Sequence, residues 1–151
     1  MSFDLEVSRD IAAPAEAVFA ALTDITRMGE WSPETIGAEW NEGFDHAAVG
    51  AQFTGHNQLG DKEWSTTAEI VDLVPNERFF FDCSVGDFVF SKWGYAIEAT
   101  GSGCRVTEYS TNLIPQEMRE ASTTISGVED RGVHNESGMQ TTLERLAAVF
   151  A

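Results

Sequence analysis

Positive charge is scarce in this chain. Lys62 and Lys92 are its two lysines, and with the arginines they make 9 basic residues against 25 Asp and Glu, a formal net charge of −16 over 151 residues. Such a sequence cannot build the basic face that nucleic acid or anionic lipid requires, and its field repels polyanions. Cysteine is nearly missing as well: Cys83 and Cys104 are too few for a disulfide framework. No apolar run approaches the ~20 residues of a membrane span. No repeat, low-complexity tract or linker interrupts the chain. Met1-Ser2-Phe3-Asp4 carries acid where a signal or transit peptide carries base. These absences predict a soluble, cytoplasmic protein of one domain over 1–151, as monomer or homodimer, with no nucleic-acid partner.

Signatures of bound groups are missing too. His46, His56 and His134 have no metal-ligand spacing, and there is no Cys-x-x-Cys or calcium loop. The glycines form neither a phosphate loop nor a dinucleotide fingerprint, and no Gly-x-Ser-x-Gly elbow presents a nucleophile. Neither metal nor cofactor is expected.

What is present is apolar patterning. Hydrophobic residues make up 42% of the chain and aromatics 11%, enough to exclude disorder and fill a core. Phe3, Leu5 and Val7 alternate with Asp4, Glu6 and Ser8 as the buried face of a strand over 3–10. Val18, Ala21, Leu22 and Ile25 then recur at helical spacing behind Pro14, and Ser32-Pro33 stops a short piece from Thr26 to Trp31. Period-two alternation follows over 51–59, 63–71, 79–83, 89–98 and 104–111. It places Phe53, Asn57, Trp64, Thr66, Phe79, Phe81, Val89, Trp93, Tyr95 and Glu108 on one inward face. One apolar and one polar face predict an antiparallel sheet covered on one side. From Gln116 to Phe150 the pattern turns helical, with Ile125, Val128, Asn135, Met139, Leu143 and Leu146 near one face and a bend expected at Ser126-Gly127.

The order strand, short helices, antiparallel sheet, long helix is the helix-grip arrangement. The opening Ile11-Ala12-Ala13-Pro14-Ala15-Glu16-Ala17-Val18-Phe19, with Leu22-Thr23-Asp24 and Met28-Gly29-Glu30-Trp31-Ser32-Pro33-Glu34, resembles START-like polyketide cyclase/dehydrase proteins of the SRPBCC superfamily. Gly50-Ala51-Gln52-Phe53, Trp64-Ser65-Thr66-Thr67, Trp93-Gly94-Tyr95, Cys104-Arg105-Val106-Thr107-Glu108 and His134-Asn135-Glu136-Ser137-Gly138-Met139 extend the resemblance over nearly the whole chain. It implies an α+β fold: a curved seven-stranded antiparallel sheet wrapped around a long C-terminal helix, two short helices after the first strand, and an internal cavity. It also points to a bacterial subfamily in which binding, lipid or polyketide transfer and catalysis share one fold.

Aromatic residues at strand spacing ordinarily pack as a core. Two features favour a ligand cavity instead: the cavity that the resemblance implies, and the polar Asn57, Thr66, Tyr95 and Asn135 sharing the apolar face. The expected lining is Trp31, Phe53, Asn57, Trp64, Thr66, Phe79, Phe81, Trp93, Tyr95, Asn135 and Met139, with Trp31-Ser32-Pro33 at the entrance. The expected ligand is a hydrophobic, aromatic or polycyclic small molecule, uncharged or cationic. The alternatives are a cofactor-independent polyketide cyclase or dehydrase, moving protons through Glu108, His134 or Tyr95, and a regulatory protein that docks through its acidic surface. Alternation turns Glu108 inward, where desolvation would raise its pKa. The plainer expectation sets it wet near a strand end, or paired with an arginine such as Arg131.

Overall fold

In a computed structural model that describes residues 3–151, the chain forms β1 (Leu5–Ile11), α1 (Ala15–Thr23), β2 (Thr35–Trp40), β3 (Gln52–Leu59), β4 (Lys62–Val74), β5 (Arg78–Val85), β6 (Phe88–Thr100), β7 (Gly103–Asn112), α2 (Arg119–Ser126) and α3 (Arg131–Val149). Met1 and Ser2 of the acidic N-terminal stretch lie outside the described residues. All seven strands join one antiparallel sheet in the order β1-β7-β6-β5-β4-β3-β2. β1 and β2 therefore form opposite edges, and α1 with the 3₁₀ helix Ile25–Glu30 carries the chain between them. This is the helix-grip α+β fold. β2, the edge strand over 35–40, has no place in the alternation read from the sequence.

Period-two burial holds along the central strands. Ala51, Phe53, Gly55 and Asn57 are buried on β3 and its approach, and Cys104, Val106, Glu108 and Ser110 along β7. Register shifts between Thr35 and Gly37, between Ile70 and Asp72, and between Cys83 and Ser84 mark bulges, which add local twist and curl the sheet. Opposite Cys83–Ser84 the extra residue is Phe90: Ser91 pairs with Cys83, and Val89 with Ser84. The bulge overturns the expected inward Val89. Phe88 and Phe90 face the interior space in its place.

Two further expectations change. Phe3 sits in a cluster with Phe80 and Tyr109, at ring-centroid distances of 5.5 and 5.3 Å. Tyr109 lies between the inward Glu108 and Ser110 on β7, so this cluster covers the sheet's outer face and Phe3 is not an inward residue. Gly94 makes the close seat possible: a Cβ there would lie 2.0 Å from the Phe80 ring. The C-terminal helical region is two helices, not one bent rod. Gly127 takes a left-handed φ of 77° and ends α2, while the Asp130 side chain accepts from the Val133 N–H at 3.1 Å to start α3. Ile125, expected on the buried stripe, is consequently 54% exposed.

The packed core fills one end of the grip. Val18, Ala21, Leu22 and Ile25 from the α1 region meet Ile70, Phe79, Ile97 and Val106 from the sheet and Leu143 and Leu146 from α3. Complete burial of these side chains holds α3 against the sheet at that end. At the other end the walls stand apart.

Candidate functional site

Between the sheet, α2 and α3 lies a cavity of about 460 Å³, inside the range of small-molecule sites. β3 contributes Phe53 and Asn57, β4 Trp64 and Thr66, β5 Phe81, β6 Trp93 and Tyr95, and α3 Asn135 and Met139. Trp31 also lines it, though as a buried wall only 2% exposed, and not as an entrance residue. Phe79 alone of the expected lining falls outside. It is sunk in the core, stacked on Tyr95 at 6.4 Å and tilted against Phe81 at 5.4 Å. The remaining candidates, Glu108 and His134, both border the cavity.

Several wall residues are not legible in the sequence pattern. Phe88 and Phe90 enter through the β6 bulge, which alternation alone cannot register. Met118, in the 3₁₀ turn Gln116–Met118, and Ala121 on α2 join the wall from a segment that the pattern merges with α3, and Ile125 of the expected stripe borders the cavity there as well. Glu34 comes from the connection into β2. The mouth is marked by lining side chains that also meet solvent: Val85 and Phe88 on the β5–β6 hairpin, Met118 and Ile125 at α2.

Most polar groups in the cavity are already engaged with one another. Asn57 Oδ1 accepts from Thr35 Oγ1 at 2.8 Å, and its Nδ2 donates to Thr66 Oγ1 at 3.0 Å. Trp93 Nε1 donates to Ser91 Oγ at 3.0 Å. Arg131, expected as a partner for Glu108, instead pairs with Glu34 at 2.8 Å and donates to Asn135 Oδ1 at 3.3 Å, while its guanidinium lies 5.7 Å from the centre of the Trp64 ring. His134 Nε2 stands 3.8 Å from the same Glu34 carboxylate. Arg131, the arginine of the lining, is thus already paired with a carboxylate, and His134 faces that same carboxylate.

Glu108 is different. The expectation of a wet strand end or an arginine pair does not hold: it is 4% exposed, opposite Tyr95 in the β6–β7 register, and its Oε1 has no hydrogen-bond partner. Burial pushes its carboxyl up to about 8, against the opposing pull of the Tyr95 hydroxyl. Burial also holds the Tyr95 phenol well above its ordinary value, with the Glu108 charge adding to the effect. Near neutral pH the polar floor of the cavity is thus a protonated acid beside a protonated phenol. Cys83 lines the wall as an inert thiol, pushed up to about 12 by burial. Among the described residues no cluster of His, Cys, Asp or Glu is arranged to hold a metal ion.

Residues 2–151 match the family model described as polyketide cyclase/dehydrase and lipid transport. No curated protein matches the sequence. Among solved structures, a polyketide cyclase-like protein of Corynebacterium glutamicum is 33% identical, with a TM-score of 0.63 over 96% of this chain and 89% of its own. A protein of Nitrosomonas europaea is 16% identical, with a TM-score of 0.70 over 98% and 94%. The di-domain ARO/CYC protein of the steffimycin biosynthetic pathway is 14% identical, with a TM-score of 0.71 over 97% of this chain and 49% of its own. At such identities the last two speak for the fold alone. No helix among the described residues is long and apolar enough to cross a membrane.

Proposed function

Because the chain belongs to the polyketide cyclase/dehydrase and lipid transport family, we propose that its cavity binds a hydrophobic, aromatic or polycyclic small molecule without covalent chemistry, metal or cofactor. The observation that carries this is the 460 Å³ space itself, walled by Phe53, Trp64, Phe81, Phe90 and Trp93. Aromatic walls offer contact area to a flat apolar molecule, and burial of that area supplies the affinity. Arg131 is committed to Glu34, so the ligand carries no carboxylate or phosphate. The protein acts in this reading as a soluble cytoplasmic monomer or homodimer with no nucleic-acid partner.

Titration of naphthalene- and anthracene-class compounds, followed by native mass spectrometry and by quenching of Trp64 and Trp93 fluorescence, tests it. One-to-one complexes with quenching are expected. Absence of binding across neutral polycyclic compounds up to their solubility would overturn the reading. One observation favours a second, catalytic reading: a buried carboxyl raised to about 8 on the cavity floor suits a general acid or base in a cofactor-independent cyclisation or dehydration. Conversion of a poly-β-keto substrate that disappears in Glu108→Gln, with binding retained, would select it.

A further inference from the structure

Among the described residues, two buried oxygens of the cavity lining have no hydrogen-bond partner, Glu34 Oε1 and Glu108 Oε1; the first stands 2.8 Å from the Arg131 guanidinium, so the second alone has no charge partner either. Asn57, Thr66 and Thr35 satisfy each other, Trp93 is bound to Ser91, and Arg131 is held by Glu34 and Asn135. Glu108 Oε1 has no partner although its residue is 4% exposed and lines the cavity. A buried acceptor or donor left unmatched is destabilising, so a group that reaches it from the cavity gains more than the same group gains in water.

We propose that Glu108 is the polar anchor of the cavity and that the bound molecule is a neutral apolar compound bearing a hydroxyl, alcoholic or phenolic, seated on Glu108 Oε1. This rests on the binding reading above and adds the class of ligand. A hydroxyl can both donate and accept, so it matches the carboxyl in either protonation state. A carboxylate meets Glu108 and Glu34, while Arg131 and His134 of the lining both already face Glu34. An ammonium forfeits its hydration in an apolar space, and the ion pair it makes does not fully repay that loss.

The test uses matched probes: 2-naphthylmethanol, 2-methylnaphthalene and 2-naphthoate, measured by calorimetry on wild type, Glu108→Gln and Glu108→Leu. In wild type the alcohol binds about tenfold more tightly than the hydrocarbon, and the carboxylate at least about tenfold more weakly than the alcohol. Gln, with its own donor and acceptor, keeps the alcohol preference; Leu erases it and still binds 2-methylnaphthalene. If Leu proves unfoldable, the Glu108 side-chain carboxyl carbon in ¹³C-glutamate-labelled wild type supplies the answer, because the alcohol shifts its resonance and the hydrocarbon leaves it in place. Equal binding of alcohol and hydrocarbon, preference for the carboxylate, or a Glu108 resonance blind to the alcohol overturns the anchor while leaving the binding site intact. Failure of all three probes overturns the binding reading, and the anchor falls with it.

Discussion

Replacing Glu108 by Gln should make the protein more stable, and increasingly so as pH rises. The carboxyl moves from an ordinary 4.5 to about 8 on folding, chiefly because burial penalises the charged form. Between those values the folded protein holds a proton that the unfolded chain has released. Wild-type stability is therefore intact below the lower value, falls through the window, and levels off above the upper one. Each pH unit inside the window removes about 1.4 kcal/mol. That sums to roughly 3 kcal/mol at pH 7 and roughly 5 kcal/mol above the window, both ceilings because water admitted through the cavity mouth screens the charge. Glutamine has the same shape and no titration, so Glu108→Gln escapes the slope. Any cost of burying its amide is independent of pH. The other acidic residues titrate in both proteins and cancel in the difference. Urea unfolding at about pH 5, 7 and 9, followed by tryptophan fluorescence, gives that difference directly. The variant should gain on wild type by several kcal/mol from the lowest to the highest pH. Parallel pH–stability curves would refute the reasoning, since they require a carboxyl that titrates alike in the folded and unfolded states.

Cavity walls and core residues should respond differently to truncation. Phe79→Ala, in the packed end, should lose about 3–5 kcal/mol, whereas Trp64→Ala or Trp93→Ala, each bordering existing space, should lose well under about 3 kcal/mol in at least one case; urea unfolding of the three decides, and three equally large losses would mean that the space is filled. Gly94→Ala drives a Cβ to 2.0 Å from the Phe80 ring, and should destabilise by about 1–3 kcal/mol in the same assay, with no loss meaning that Phe80 does not sit over β6. Cys83 and Cys104 lie on strands separated by β6 and are buried as free thiols, so a thiol reagent should find neither promptly in native protein and both after denaturation.

The parts of the fold visible in the sequence are those fixed by local periodicity. Asn57 and Glu108 face inward because every second residue of an uninterrupted strand does, and Val18, Ala21 and Leu22 share a stripe because a helix returns every 3.6 residues. The parts not visible are departures from a period. At Phe90 one extra residue flips the rest of the hairpin, and nothing in Phe88-Val89-Phe90-Ser91 marks which residue bulges. Gly127 was readable as a bend, but only its left-handed backbone turns a bend into two helices. The state of Glu108 depended on its neighbours. β1 and β6 flank β7 along almost its whole length, so the position has no wet end, and Arg131 pairs with Glu34 next to β2, at the opposite edge of the sheet.

These same departures explain why a cavity survives where collapse would be expected. A void lined by apolar atoms forfeits dispersion contacts, so a fold keeps one only if its walls are held from elsewhere. Here the completed core around Ile25, Ile70, Phe79 and Leu146 fixes sheet and α3 at one end. At the other, the Phe90 bulge interrupts the β5–β6 register, and the left-handed Gly127 ends α2 before α3 begins. Within α2 and its exit, Ser126 Oγ accepts from the Val128 N–H at 3.3 Å and Thr123 Oγ1 donates to the Val128 carbonyl at 3.2 Å, so the break is pinned. The contacts that the open end lacks are the contacts that a ligand can restore. Its binding should then raise folding stability by an amount that grows with the logarithm of its concentration above Kd. A compound that occupies the outer face beside Phe80 would leave the tryptophans of the cavity unquenched, which separates filling the grip from adhering to its surface.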